Sequence, residues 1–147
     1  LLAAVDVAAM AAWIAAIPLE VWPQQSLRRL KPAMVTDRSW FGFGSQAAPV
    51  VAEVMSYFPG CRDDQWTLSA VLPGDAIEPH VDHQGPHWLC RIHVPLMTNP
   101  QSRFIVGGKA HCMEVSQAYR VNTEATHSVE NDGEGARVHF MVDVLWP

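Results

Sequence analysis

From Trp66 to Leu145 the apolar residues of this chain recur at every second position, and that period of two constrains the fold more than any other feature. Alternation sends successive side chains to opposite faces of an extended segment. Candidate strands are Trp66–Leu72, Ala76–Asp82, Trp88–Leu96, Arg103–Val106, Lys109–Val115, Ala118–Asn122, Thr126–Asn131 and Ala136–Leu145, separated by P-G, P-Q-S, G-G and D-G-E-G turn signals. Short strands so spaced predict a mainly β architecture, a sandwich or jelly roll. In Trp88–Leu96 the alternation sets Leu89, Arg91, His93 and Pro95 against Cys90, Ile92, Val94 and Leu96. In the last strand Arg137, His139, Met141 and Asp143 oppose Val138, Phe140, Val142 and Val144. Each of these strands has one apolar face and one that carries polar heads.

The first 60 residues follow a helical period instead. Residues 1–17 read as an Ala-rich helix with Leu2, Val5, Ala9, Trp13 and Ile17 recurring on one side, expected to lie against the outside of a sheet. The run falls short of the roughly 20 residues of a membrane span, carries Asp6, lacks a basic leader and stops at Pro18, so it reads as a buried helix. An opening residue other than Met is consistent with a trimmed N-terminus. Leu19–Trp22 reads as extended, Gln24–Leu30 as a helical turn ended by Lys31-Pro32, and Thr36–Gly44 as a strand followed by a flexible turn. A second helix is predicted from a Ser45 cap to Phe58, with Val50, Val51, Val54, Met55 and Phe58 inward and Pro59-Gly60 as its stop. The expectation is one domain over residues 1–147, helical up to residue 60 or so and a β-barrel from residue 66 to residue 145.

Charge narrows the partners. A formal charge of −5 with ten scattered Lys and Arg provides no basic stripe for a phosphate backbone, which argues against nucleic acid. Cys61, Cys90 and Cys112 are odd in number and widely spaced, which indicates neither a disulfide framework nor a zinc knuckle and points to a reducing, cytoplasmic setting.

The chemistry concentrates in two places. His80 and Asp82 stand two residues apart in E-P-H-V-D-H and leave an extended segment from the same face, while His127 in T-H-S-V-E-N comes from a distant strand. An H-x-D triplet alone carries little, since seven His and the acidic content of this chain supply one readily by chance. Two imidazoles and a carboxylate on one face of an ion are nevertheless the arrangement of non-haem Fe(II) oxygenases. Arg137 follows His127 by ten residues across D-G-E-G, and a long hairpin in even register would point both into one cavity at different depths. A metal at the mouth and an anion clamp below it suit a 2-oxoacid with a distal carboxylate. The segments Arg38–Gly44 and His83–Trp88 are candidate lids, with Arg38 and Trp40 able to reach over the mouth.

The blocks P-H-V-D, R-I-H-V-P-L, H-S-V-E-N and R-V-H-F-M-V-D-V resemble, in order and spacing from Trp66 to Val144, the aspartyl/asparaginyl β-hydroxylase family. That resemblance implies a cupin-like double-stranded β-helix with Fe(II), 2-oxoglutarate and O2 as its reactants. It implies His80, Asp82 and His127 as metal ligands, Arg137 as partner of the distal carboxylate, and Ser69, Arg91 and His93 as further co-substrate contacts. Some members lack the carboxylate ligand, so Asp82 leaves both a free amino acid and a residue in a peptide open as substrate. Nucleic-acid demethylases share H-x-D and a distal His but place a second Arg six residues after the first, where this chain has Asp143. The rivals are a metal-dependent isomerase or hydrolase, for which Glu78 is the nearby spare carboxylate, and a non-catalytic sensor of a small acid. Homo-oligomerisation stays open.

Overall fold

The computed structural model describes residues 1–23, 33–83 and 85–147, and the helical turn expected at Gln24–Leu30 lies outside them. The strands are β1 (Ala3–Ala4), β2 (Ala33–Val35), β3 (Arg62–Val71), β4 (Ala76–His80), β5 (Trp88–Met97), β6 (Ser102–Val106), β7 (Lys109–His111), β8 (Gln117–Val121), β9 (His127–Asn131) and β10 (Arg137–Leu145). Helices α1 (Ala8–Ala15) and α2 (Phe43–Met55) precede the long strands. One sheet has the order β1-β8-β5-β10-β3-β2 and the other β4-β9-β6-β7, with antiparallel pairing throughout. This is a double-stranded β-helix, the form of jelly roll that the family resemblance implies, and its long strands are the period-two segments of the sequence.

The two faces of the large sheet divide the labour. Leu68 and Ala70 of β3, Cys90, Ile92, Val94 and Leu96 of β5, and Val138, Phe140, Val142 and Val144 of β10 are all buried against the helices. Met10 and Ile14 of α1 and Phe43, Ala47, Val50, Val51 and Val54 of α2 complete that core, with Phe43 set edge-on to Phe140 at a centroid distance of 5.8 Å. Each of the Val, Leu, Ile, Met and Phe side chains among them contributes about 1.5–3 kcal/mol by leaving water. A smaller cluster of Val71, Phe104, Met113, Val121 and Val129 closes part of the space between the sheets. The polar heads of β5 and β10 line the rest.

The N-terminal part departs from its sequence reading in several places. The first helix is confined to Ala8–Ala15, because Leu2 and Val5 donate their N–H groups to Ala118 and Ser116 and extend the large sheet by a short edge strand. Asp6 Oδ1 accepts the Ala8 N–H in an Asx turn just ahead of the helix, whose N-cap is Val7. Leu19–Val21 is a 3₁₀ turn, not extended chain. Thr36–Gly44 is no strand: Asp37 Oδ1 accepts both the N–H and the hydroxyl of Ser39, and a 3₁₀ turn over Trp40–Gly42 runs into α2. Phe41 and Gly42 take positive φ there (47° and 78°), so α2 begins at Phe43 rather than after a Ser45 cap. The edge strand β2 was not evident in the sequence, and the strand expected at Lys109–Val115 ends at His111. Among the described residues no helix is long and apolar enough to cross a membrane.

Candidate active site

A cavity of about 160 Å³ opens between the two sheets, and every sequence-selected site residue lines it: Ser69, His80, Asp82, Arg91, His93, His127 and Arg137. Strand register explains the convergence. His80 and His127 face each other across the β4–β9 ladder with ring centroids 4.2 Å apart, and Asp82 follows just past the end of β4, its N–H bonded to the Thr123 carbonyl at 2.8 Å. Asp82 Oδ1 lies 4.0 Å from His80 Nε2, and Asp82 Oδ2 lies 3.5 Å from His127 Nε2. One candidate ligand atom from each residue falls within 4.8 Å of the others.

Backbone carbonyls set the tautomers. His80 Nδ1 is 2.7 Å from the Glu78 carbonyl and His127 Nδ1 is 2.9 Å from that of Ala125. A carbonyl only accepts, so each Nδ1 carries a proton and each Nε2 is the nitrogen turned to the cavity. Phe104 stacks on the His127 ring with 14° between the planes, fixing its tilt. Burial opposes a charge on His127, but its bonds to Asp82 and the Ala125 carbonyl outweigh that and raise its pKa. The same bond to His127 holds the Asp82 carboxyl below its usual range, against burial and with help from the Arg91 charge.

Deeper in the cavity the electrostatics change. Arg137 is 2% exposed, and Nη2 donates to His139 Nδ1 at 2.8 Å. Among the described residues no carboxylate pairs with it, and burial pushes its pKa down to about 9. His139 and His93 are both driven well below the ordinary imidazole value by burial first and by the Arg137 charge second, so both are neutral. His93 Nε2 is buried with no partner among the described residues, and Ser69 faces His139 in the β3–β10 register. Arg91 differs from Arg137. Its Nε and Nη2 bond Asp143 Oδ1 and Oδ2 at 2.7 and 2.9 Å, and Nη1 reaches Asp82 Oδ2 at 2.9 Å. Burial works against the Arg91 charge, yet the Asp143 hydrogen bonds and charge, with Asp82 behind them, raise its pKa.

Two expectations about placement need correcting. His127 and Arg137 do reach one cavity, but not across a hairpin: β9 lies in the small sheet and β10 in the large one, so they approach from opposite walls. The turn between them changes sheets, anchored by buried Asn131, whose Nδ2 donates to the Val71 and Gly135 carbonyls. Arg38 and Trp40 do not cover the mouth. The Arg38 guanidinium sits 3.6 Å over the Trp66 ring, and Trp40 packs edge-on to Trp13, Trp22 and Phe41 on the helical side. The residues that the sequence did not single out for the site are His139, Asp143 and the carbonyls of Glu78 and Ala125.

Residues 33–147 match the family model of aspartyl/asparaginyl beta-hydroxylase. The chain belongs to this family. No curated protein matches it in sequence. Among solved structures, a prolyl hydroxylase from Trichoplax adhaerens in complex with a hypoxia inducible factor peptide fragment is similar with a TM-score of 0.57 and 12% identity, over 84% of this chain and 69% of that one. The Escherichia coli ribosomal oxygenase YcfD aligns with a TM-score of 0.55 and 13% identity, over 85% of this chain and 36% of its own. At such identity these likenesses speak for the fold, while the family makes the chain an enzyme of the hydroxylase kind. The beta-hydroxylase site also passes a chemical test of fit for a divalent ion and an anionic co-substrate. Two Nε2 atoms and a carboxylate converge at the mouth, and at the base lie a buried cation and, among the described residues, an unpartnered imidazole nitrogen.

Proposed function

We propose that this beta-hydroxylase is an Fe(II)- and 2-oxoglutarate-dependent dioxygenase that hydroxylates an amino acid, free or within a peptide. The observation that carries the reading is the buried Arg137 guanidinium, held among the described residues by one imidazole and no carboxylate, in the same cavity as the His80–Asp82–His127 cluster. A charge left so poorly compensated is costly unless a ligand pairs with it. His80, Asp82 and His127 would hold the iron. Arg137 would fork onto the distal carboxylate of 2-oxoglutarate, with Ser69 and His93 beside it. Bound Fe(II), with 2-oxoglutarate and O2, supplies the oxidation: the co-substrate is decarboxylated to succinate and CO2, and one oxygen atom enters an unactivated C–H bond.

The chain's own share is orientation and exclusion of water. The Nδ1–H groups of His80 and His127 are tied to carbonyls, so both rings present Nε2, the nitrogen that would ligate, to the cavity. Phe104, Val129, Ile77 and Met141 give the cavity dry walls. With the base given to the co-substrate, the substrate would enter from the open side near His80 and Val81, where Val81 is 59% exposed. The isomerase or hydrolase reading lacks its acid–base pair: Glu78 is exposed, and among the described residues lining the cavity Asp82 is the only carboxylate.

Anaerobic mixing of the protein with Fe(II) and 2-oxoglutarate should give a weak visible absorption band, and free amino acids and short peptides should then be screened for substrate-triggered succinate release. A protein that binds both components yet shows no band is not this oxygenase. Ni, Cu or Zn compete for the same donors, so the iron must be added to metal-stripped protein.

A further inference from the structure

Asp143 is a buried carboxylate to which neither the metal nor the co-substrate gives a task. It stands directly across the β5–β10 ladder from Arg91, is 2% exposed, and takes Arg91 Nε on one oxygen and Nη2 on the other, with Trp88 Nε1 at 3.4 Å. This two-point fork fixes the plane of the guanidinium. The third nitrogen, Nη1, is thereby aimed at Asp82 Oδ2. Asp82 needs such a tether: it lies beyond the last residue of β4, and among the described residues its backbone is held by one bond, to Thr123. Arg91 Nη1, at 2.9 Å, is the nearest charged group to the Asp82 side chain, against 3.5 and 4.0 Å for the Nε2 atoms of His127 and His80.

We propose that Arg91, locked by Asp143, is a positioning residue that holds the Asp82 carboxylate toward the ion, rather than a contact to the 2-oxoacid. The inference rests on the reading of Asp82 as a metal ligand. Charge supports it. Arg91 already faces two carboxylates, whereas Arg137 faces none among the described residues, so a diacid entering the cavity meets one cation that still lacks an anion. Fixing Arg91 from the far side also explains why an acid stands at position 143, on a strand face otherwise occupied by Arg137, His139 and Met141.

The test is Mn(II) affinity of the metal-stripped protein, followed by electron paramagnetic resonance in the absence of 2-oxoglutarate. Asp143→Asn and Arg91→Lys should each weaken Mn(II) binding about 10- to 100-fold, while the 2-oxoglutarate Kd at saturating Mn(II) stays within a few-fold of wild type. In an Asp82→Ala background Asp143→Asn should cost nothing further, because the group it acts through is gone. Should Asp143→Asn fail to fold, the paired Arg91→Met/Asp143→Leu variant removes both buried charges together and carries the same expectation. Unchanged Mn(II) affinity with a raised 2-oxoglutarate Kd would overturn the proposal, as would equal losses in the wild-type and Asp82→Ala backgrounds. If wild type binds no Mn(II), or Asp82→Ala binds it as well as wild type, the ligand reading itself falls, and this inference with it.

Discussion

Arg91 and Arg137 point into the same cavity from neighbouring strands, both largely buried, and their charges are treated in opposite ways. Arg91 is enclosed by Asp143 and Asp82, and its pKa is raised. Arg137 has one neutral imidazole as its partner, and its pKa falls to about 9. The protein itself completes the first cation, and among the described residues no carboxylate completes the second. Burial alone therefore does not decide how a buried arginine's charge is carried; the presence or absence of an anion beside it does.

The largest effect should come from removing the mouth cluster. His80→Ala or Asp82→Ala is expected to abolish succinate formation, measured with Fe(II) and 2-oxoglutarate in excess; full coupled turnover in either variant would break the division between mouth and base. Next is Arg137→Met, which should raise the 2-oxoglutarate Kd about 10- to 150-fold through loss of roughly 1.5–3 kcal/mol of charge-assisted bonding. The same change should stabilise the protein without ligand by about 1–4 kcal/mol, because an uncompensated buried charge is replaced by an apolar chain of similar length. Each kcal/mol is about 2–4 °C in Tm. A lower Tm for Arg137→Met would mean that its charge is already satisfied.

A pH series sharpens the same contrast. The folded-state pKa of Arg137, about 9, lies below that of the unfolded chain, so between the two the unfolded state binds more protons and stability rises with pH. Urea unfolding of wild type minus Arg137→Met should show a difference that shrinks from pH 8 to pH 11, and saturating 2-oxoglutarate should flatten it. The smallest effect concerns the turn that carries the chain from His127 to Arg137. A Cβ at Gly133 would meet the Asn99 side chain, at 2.0 Å from Oδ1, and Asn99 would give up its 3.0 Å bond to buried Asn131. Gly133→Ala should therefore cost about 1–3 kcal/mol in urea unfolding, with a modest rise in the 2-oxoglutarate Kd.

How much of this was legible in the sequence follows from which interactions are local. Strands β5 and β10 could be read because alternation is a local property, and the faces assigned to Arg91, His93 and Arg137 are those observed. The edge strands Ala3–Ala4 and Ala33–Val35 are too short to show any period. Thr36–Gly44 misled because aromatics beside glycine suit a strand as well as a tight turn, and only the Asp37–Ser39 bonds decide between them. The approach of His127 and Arg137 from different sheets depends on a switch at Asn131 that nothing nearby in the sequence announces. Asp143 stands where nucleic-acid demethylases carry an arginine, but its pairing with Arg91, 52 residues away, exists only through the β5–β10 register. The carbonyls that orient His80 and His127 belong to the backbone and leave no trace in residue type.

The most direct measurement compares two ligands that differ only at the group Arg137 is held to await. Mn(II)-loaded wild type and Arg137→Met should each be titrated with 2-oxoglutarate and with 2-oxovalerate, in which a methyl group replaces the distal carboxylate. Wild type should prefer 2-oxoglutarate by about 10- to 150-fold, and Arg137→Met should bind the two alike. Equal binding by wild type, or a preference that survives in Arg137→Met, would contradict the role given to this buried cation.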